Sequence, residues 1–227
     1  MTIIDDRLDS SKRAASQQPG ASATGTNMRV RKRNGDFEPV DVNKIVKAVA
    51  RCAEGLPGVD AMRVATRTIS GLHDGATTEE LDELSIRTAA ALVVEEPNYS
   101  RLAARLLSTY IDKEVQNQDV FSFSQSIALG HRLGLVADNV AELVALNFRK
   151  LNDAIEPTNS HLFEFFGMRT VYDRYLLRHP QHRKVIETPQ YFFLRVACGL
   201  SNSAEEAIRF YRPVSYTHLT LPTKLEV

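Results

Sequence analysis

The chain has 227 residues, 43% of them hydrophobic and 25% charged, enough to bury one or two cores. Its 28 Lys and Arg balance 28 Asp and Glu, so there is no global electrostatic case for nucleic acid and any basic site has to be local. Two cysteines, Cys52 and Cys198, exclude a disulfide scaffold and a four-cysteine zinc ribbon, and suit a reduced, cytoplasmic protein.

Residues 1–27 are rich in Ser, Ala, Thr and Gln and are predicted to be disordered, since they cannot bury enough surface to offset ordering entropy. Asp5 and Asp6 with no apolar run behind them argue against a secretory signal, and no stretch approaches the ~18 apolar residues of a bilayer span. A basic arm follows: Arg29, Arg31, Lys32 and Arg33, then the hairpin turn signal Asn34-Gly35 and a return strand from Phe37 to Val40. Asp41 is placed to cap a helix over 42–54, whose apolar positions are Val42, Ile45, Val46, Val49 and Ala50.

A second helix is predicted over 60–72, with Met62, Ala65, Ile69 and Leu72 inward. Asp74-Gly75 breaks it. Thr77 and Glu80 form a capping box for a third helix to about 94, with Leu81, Leu84, Thr88, Ala91 and Leu92 inward. Pro97-Asn98 opens the fourth, carrying Leu102, Leu106, Leu107, Tyr110 and Ile111. The expected class is mainly α: a small hairpin capping a four-helix bundle over 28–118, followed by a second helical region over 119–212. There, helices are predicted over 121–133, 139–151 and 159–177, the last with Leu162, Phe165, Phe166, Val171 and Tyr175 in the core. Thr188 and Pro189 open a helix to 200, and Ser203 with Glu206 opens another to 211.

The run Val30-x-Lys32-Arg33-x-Gly35, then Glu38, then Asn43-Lys44-Ile45, resembles the opening of an ATP cone, the regulatory nucleotide-binding domain of many ribonucleotide reductase large subunits. The resemblance continues through Asp74-Gly75-x-x-Thr78 and through Tyr99-Ser-Arg-Leu-Ala-Ala-Arg-Leu106. It extends into Glu187-Thr-Pro-Gln-Tyr-Phe-Phe-Leu-Arg-Val-Ala197, which is similar to the start of the reductase's own N-terminal region. From Pro213 the chain instead resembles the translation of a sequencing adapter, so 213–227 is expected to be non-native and the chain a truncated fragment.

The resemblance implies ATP or dATP, with Mg2+, as allosteric effectors that set the overall activity of a ribonucleoside-diphosphate reductase. By position, Val30 packs on the nucleotide, Lys32 and Arg33 meet phosphates, and Glu38 faces the base or the nearby backbone. Lys44, Thr78 and Lys113 complete the set, and Asp82, where some relatives carry a histidine, is expected either to turn away from the phosphates or to change the number of nucleotides bound. The implied partners are a small radical-generating subunit and further copies of the large subunit, with neither nucleic acid nor membrane. No catalytic residue falls in this stretch, so the fragment alone is expected to be inactive.

Plainer readings stand beside these. The basic arm serves equally as a charged edge strand. Lys44 suits a solvated face, Thr78 a helix start, and Lys113 a helix C-terminus. Arg101 and Arg105, four residues apart, have the spacing to bind phosphate but suit a solvated or ion-paired face better, the two cysteines suit buried hydrophobes, and the six histidines show no paired metal spacing. An anaerobic or cobalamin-dependent reductase fragment, or a non-catalytic nucleotide- or nucleic-acid-binding helical module, is the alternative.

Overall fold

A computed structural model describes residues 28–32 and 35–216. The expectations for 1–27, for Arg33 and Asn34, and for the tail after Tyr216 lie outside the described residues. Strands β1 (Arg29–Arg31) and β2 (Phe37–Pro39) pair antiparallel, with Val30 opposite Glu38. The hairpin is secured by the segment that follows the second helix. Asp74 accepts the Arg29 N–H at 2.7 Å, Gly75 N–H donates to the Arg29 carbonyl, and Arg31 N–H donates to the Ala76 carbonyl. Gly75 has φ +82°, a conformation that disfavours any residue with a Cβ, which accounts for Asp74-Gly75 as a unit.

Four helices carry the hairpin: α1 (Val42–Ala53), α2 (Ala61–Ser70), α3 (Thr78–Ala91) and α4 (Asn98–Gln116). Asp41 caps α1, accepting from Asn43 and Lys44 N–H, and the Thr77–Glu80 capping box opens α3 with both reciprocal bonds made. Two buried faces differ from expectation. On α2 it is Val64, Ala65 and Thr68 that are buried, while Met62 is exposed. On α3 the stripe is Ser85, Ile86 and Ala89, followed by Leu92, because Leu81 lines a cleft beside α1 and Leu84 packs over Gly71.

The second region holds α5 (Phe123–Arg132), α6 (Asp138–Leu146), α7 (Phe148–Asp153), a 3₁₀ segment (Pro157–Leu162), α8 (Phe165–Arg174), α9 (Pro189–Gly199) and α10 (Ala204–Tyr216). Two helices expected as continuous are each divided. At Asn147 the side-chain amide donates to the Leu143 carbonyl, local competition with the helix ladder, and α6 gives way to α7. At Phe163-Glu164 the backbone is extended, so that Phe163 is buried and stacks on Phe193 at 6.0 Å, while the freed Phe165 N–H donates to Ser100 Oγ of α4. That break turns Phe166 outward, 84% exposed, and leaves Leu162 and Tyr175 exposed as well.

The last helix runs past its expected end at Tyr211. Pro213 lies inside α10, and buried Ser215 is held by Asn159 Nδ2 at 2.9 Å. One buried cluster extends from Ile45 to Tyr211. Helix α4 is its axis, packing on α1 and α3 on one side and on α8 on the other. Across that seam Tyr172 donates to Glu114 at 3.1 Å and Tyr110 meets the Tyr172 ring edge-on. Lys184 pairs with Glu79 at 2.9 Å.

Candidate nucleotide-binding cleft

Beneath the hairpin, α1, α3 and α4 enclose a cleft of about 1230 Å³. Each wall follows from a local device already described. The hairpin, held by Asp74–Ala76, presents Val30 and Glu38. The Asp41 cap starts α1 so that Lys44 and Ile45 face inward. The capping box places Thr78 at the first position of α3, and α4 brings Lys113 across from it. Val30, Glu38, Lys44, Thr78 and Lys113 all line the cleft, five of the seven residues assigned from the sequence. Lys32 stands one step outside the lining, its ammonium 2.7 Å from Glu38, and Arg33 lies outside the described residues.

The charges are already paired. Glu38 takes Lys32 on one oxygen and faces Lys44 at 3.9 Å with the other. The Lys32 ammonium holds the Glu38 carboxyl below its ordinary range, and Glu38 in turn raises the Lys32 pKa. Of the two expectations for Asp82, turning away does not hold. Asp82 lines the cleft and takes Lys113 Nζ at 2.9 Å on both oxygens, since α3 and α4 pack directly together there. A carboxylate facing a phosphate site is therefore balanced by a cation in contact with it.

The sequence reading missed the far end of the cleft. Arg105, assigned to a solvated or ion-paired face, instead donates Nη1 to the carbonyls of Cys52 and Glu54 at 3.1 and 2.7 Å, closing the C-terminal end of α1. His161, from the 3₁₀ segment of the second region, also lines this end. No spacing links residues 56 positions apart, so only the fold brings them together. Cys52 lines the same wall, half-buried, and burial raises its pKa; Cys198 is buried and pushed up to about 12. Both are thiols rather than ready nucleophiles at neutral pH.

The ATP cone domain family matches residues 28–114, and the family described as ribonucleotide reductase, all-alpha domain, matches residues 161–225. The chain is 34% identical over 205 residues to the ribonucleoside-diphosphate reductase large chain 2 of Saccharomyces cerevisiae, covering 85% of this chain and 23% of that protein. It is 32% identical over 206 residues to the large subunit of Arabidopsis thaliana (84% and 24%), and 31% over 199 residues to that of Caenorhabditis elegans (83% and 25%). The chain thus spans about a quarter of the length of the curated relatives it matches. It carries an ATP cone domain followed by a ribonucleotide reductase all-alpha domain, and along most of its length it is similar to ribonucleoside-diphosphate reductase large subunits.

Proposed function

We propose that this chain is the overall-activity switch of a ribonucleoside-diphosphate reductase, and that the cleft binds ATP or dATP, with Mg2+, to set how fast the whole enzyme makes deoxyribonucleotides. The observation that carries this is the convergence of Lys44, Thr78 and Lys113 with the hairpin residues Val30 and Glu38 on one cleft. In this reading Lys32, Arg33, Lys44 and Lys113 take the phosphate oxygens, Thr78 donates from the start of α3, Val30 packs on the base and Glu38 faces its polar edge. Charge-assisted bonds of this kind are roughly twice as strong as neutral ones. Glu38 and Asp82 hold the ammonium groups in place beforehand, so a triphosphate exchanges one set of anionic partners for another rather than ordering free side chains.

ATP and dATP differ by one hydroxyl, so they bias two states only through contacts that differ between those states. A coupling of about 1–3 kcal/mol makes a useful switch. Reduction itself is assigned to the whole large subunit, with a radical-generating small subunit as partner, self-association as the regulatory readout, and the cytoplasm as its place. The oxygen-dependent type is favoured by the run from Glu187 to Ala197.

Calorimetric titration of the chain with ATP, dATP and GTP tests the reading. Adenine-selective binding that Lys44→Ala and Lys113→Ala each weaken at least tenfold supports it. Equal binding of GTP, or binding indifferent to both substitutions, overturns it.

A further inference from the structure

The cleft is larger than one small ligand needs. At about 1230 Å³ it exceeds the ~300–1,000 Å³ typical of small-molecule sites. Its cationic groups run along it rather than gathering at the hairpin end, with Lys47 between Lys44 and Arg51 on α1. Lys113 and Arg105 both line it from α4, eight residues apart, about 12 Å along the helix axis. Lys44 and Arg51 repeat that separation on α1, seven residues apart, about 10 Å. Between the two ends the lining is mixed, with Lys47 and Ala48 from α1 and Leu106 and Thr109 from α4. Phosphates seated beside Lys44 and Lys113 therefore leave the far end open.

That far end has a fixed donor. Arg105 Nη1 is anchored by the Cys52 and Glu54 carbonyls, which orients the guanidinium plane. Nη2 takes no partner among the described residues, and Nε is buried without one. His161 stands beside it. Burial, and after it the Arg105 charge, lower the His161 pKa below the ordinary histidine value. Arg51 adds a further cation to this end and Glu54 a carboxylate. Arg105 and His161 belong to different regions of the chain, and the segment carrying His161 is tied inward. Its neighbour Ser160 is buried and accepts from Gln190 of α9, whose side chain in turn accepts from Tyr211 of α10.

We infer that Arg105 and His161 form a second anion subsite at the far end of the cleft, one that takes a phosphate-class group while a nucleotide occupies the hairpin end. The inference rests on the nucleotide reading for the hairpin end alone. An anion between the two side chains bridges α4 to the 3₁₀ segment and so to α9 and α10. It gives Nη2 an acceptor and favours protonated His161. A guanidinium fixed by two carbonyls presents its remaining N–H groups to an oxyanion at little entropic cost.

The test uses inorganic phosphate on the whole chain, first alone and then with saturating ATP, followed by NMR of the His161 ring and of the Arg105 Nε–H. That proton, being buried, exchanges slowly enough to observe. The expected result is a saturable shift of both signals that persists under ATP. Arg105→Gln and the milder His161→Gln, a change at an exposed side chain, should each weaken phosphate at least tenfold and leave ATP affinity within twofold. For His161→Gln the Arg105 Nε–H is the readout. No shift at either residue overturns the subsite, as does a shift that ATP abolishes, which places phosphate only where the nucleotide's own phosphates sit. Failure of ATP to bind, with the phosphate shift intact, removes the nucleotide reading and leaves the subsite standing.

Discussion

Two kinds of ion pair divide the molecule. Around the cleft, Lys113–Asp82 and Lys32–Glu38 are wet, with lysine side chains 46% and 44% exposed and carboxylates 23% and 31%. In the second region, Glu187 is fully buried and takes Arg195 through two bonds of 2.8 Å, with a third from Leu177 N–H. Exposed pairs contribute about 0–1 kcal/mol and can be given up to a ligand. A buried pair cannot, since removing one partner strands a charge in low dielectric. The cleft pairs are placed to exchange their partners, and the Glu187–Arg195 pair to keep its own.

The largest expected effect comes from breaking the buried pair. Glu187→Ala leaves the Arg195 guanidinium and the Leu177 N–H without their acceptor and should cost about 3–5 kcal/mol, read as a lowered denaturation midpoint. Lys113→Ala should cost less than about 1 kcal/mol by the same measurement, and if the two losses match, the comparison fails. A second burial effect, on α4 of the cone half, has the opposite sign. Burial raises the Asp112 pKa to about 6, above its unfolded value. The folded chain therefore keeps a proton that the unfolded chain has already lost, and stability falls as pH rises from about 4 to about 6, then stays level. Asp112→Asn should be nearly silent at pH 4 and stabilising at pH 8, by at most about 3 kcal/mol. A stability difference independent of pH would remove the argument.

The contrast also explains what the sequence disclosed. Hairpin, caps and helix starts were legible because Asp41, Thr77 with Glu80, and Asp74-Gly75 act within a few residues of themselves. So were the cleft residues that a short motif carries, Val30, Glu38 and Lys44. What depends on distant partners was not. Phe163 interrupts a periodic run because Phe193 and Ser100 accommodate it, and α10 passes Pro213 with Ser215 held by Asn159. The Asp82–Lys113 pair was not legible because nothing in α3 announces Lys113, 31 residues on. Arg105 and His161 meet only because α4 is shared between the two regions.

Asp82 offers the finest test of exchangeable pairing. If the Lys113–Asp82 pair holds the lysine ready for a triphosphate, then Asp82→Asn has two consequences that oppose each other. It removes a negative charge from the cleft, which favours an anionic ligand, and it frees the Lys113 ammonium from its two 2.9 Å contacts, which disfavours it by side-chain entropy. Each is worth about 1 kcal/mol or less in an exposed setting, so the net change in ATP affinity should stay within about fivefold. Stability should move by less than about 0.5 kcal/mol. Lys113→Ala alone should weaken ATP at least tenfold. In the double variant, the Asp82 change should then act on affinity through its charge alone, and its effect should turn favourable. Additive effects in that cycle would mean that Asp82 acts on the ligand without Lys113, and that the pair is an ordinary surface contact rather than a held phosphate clamp.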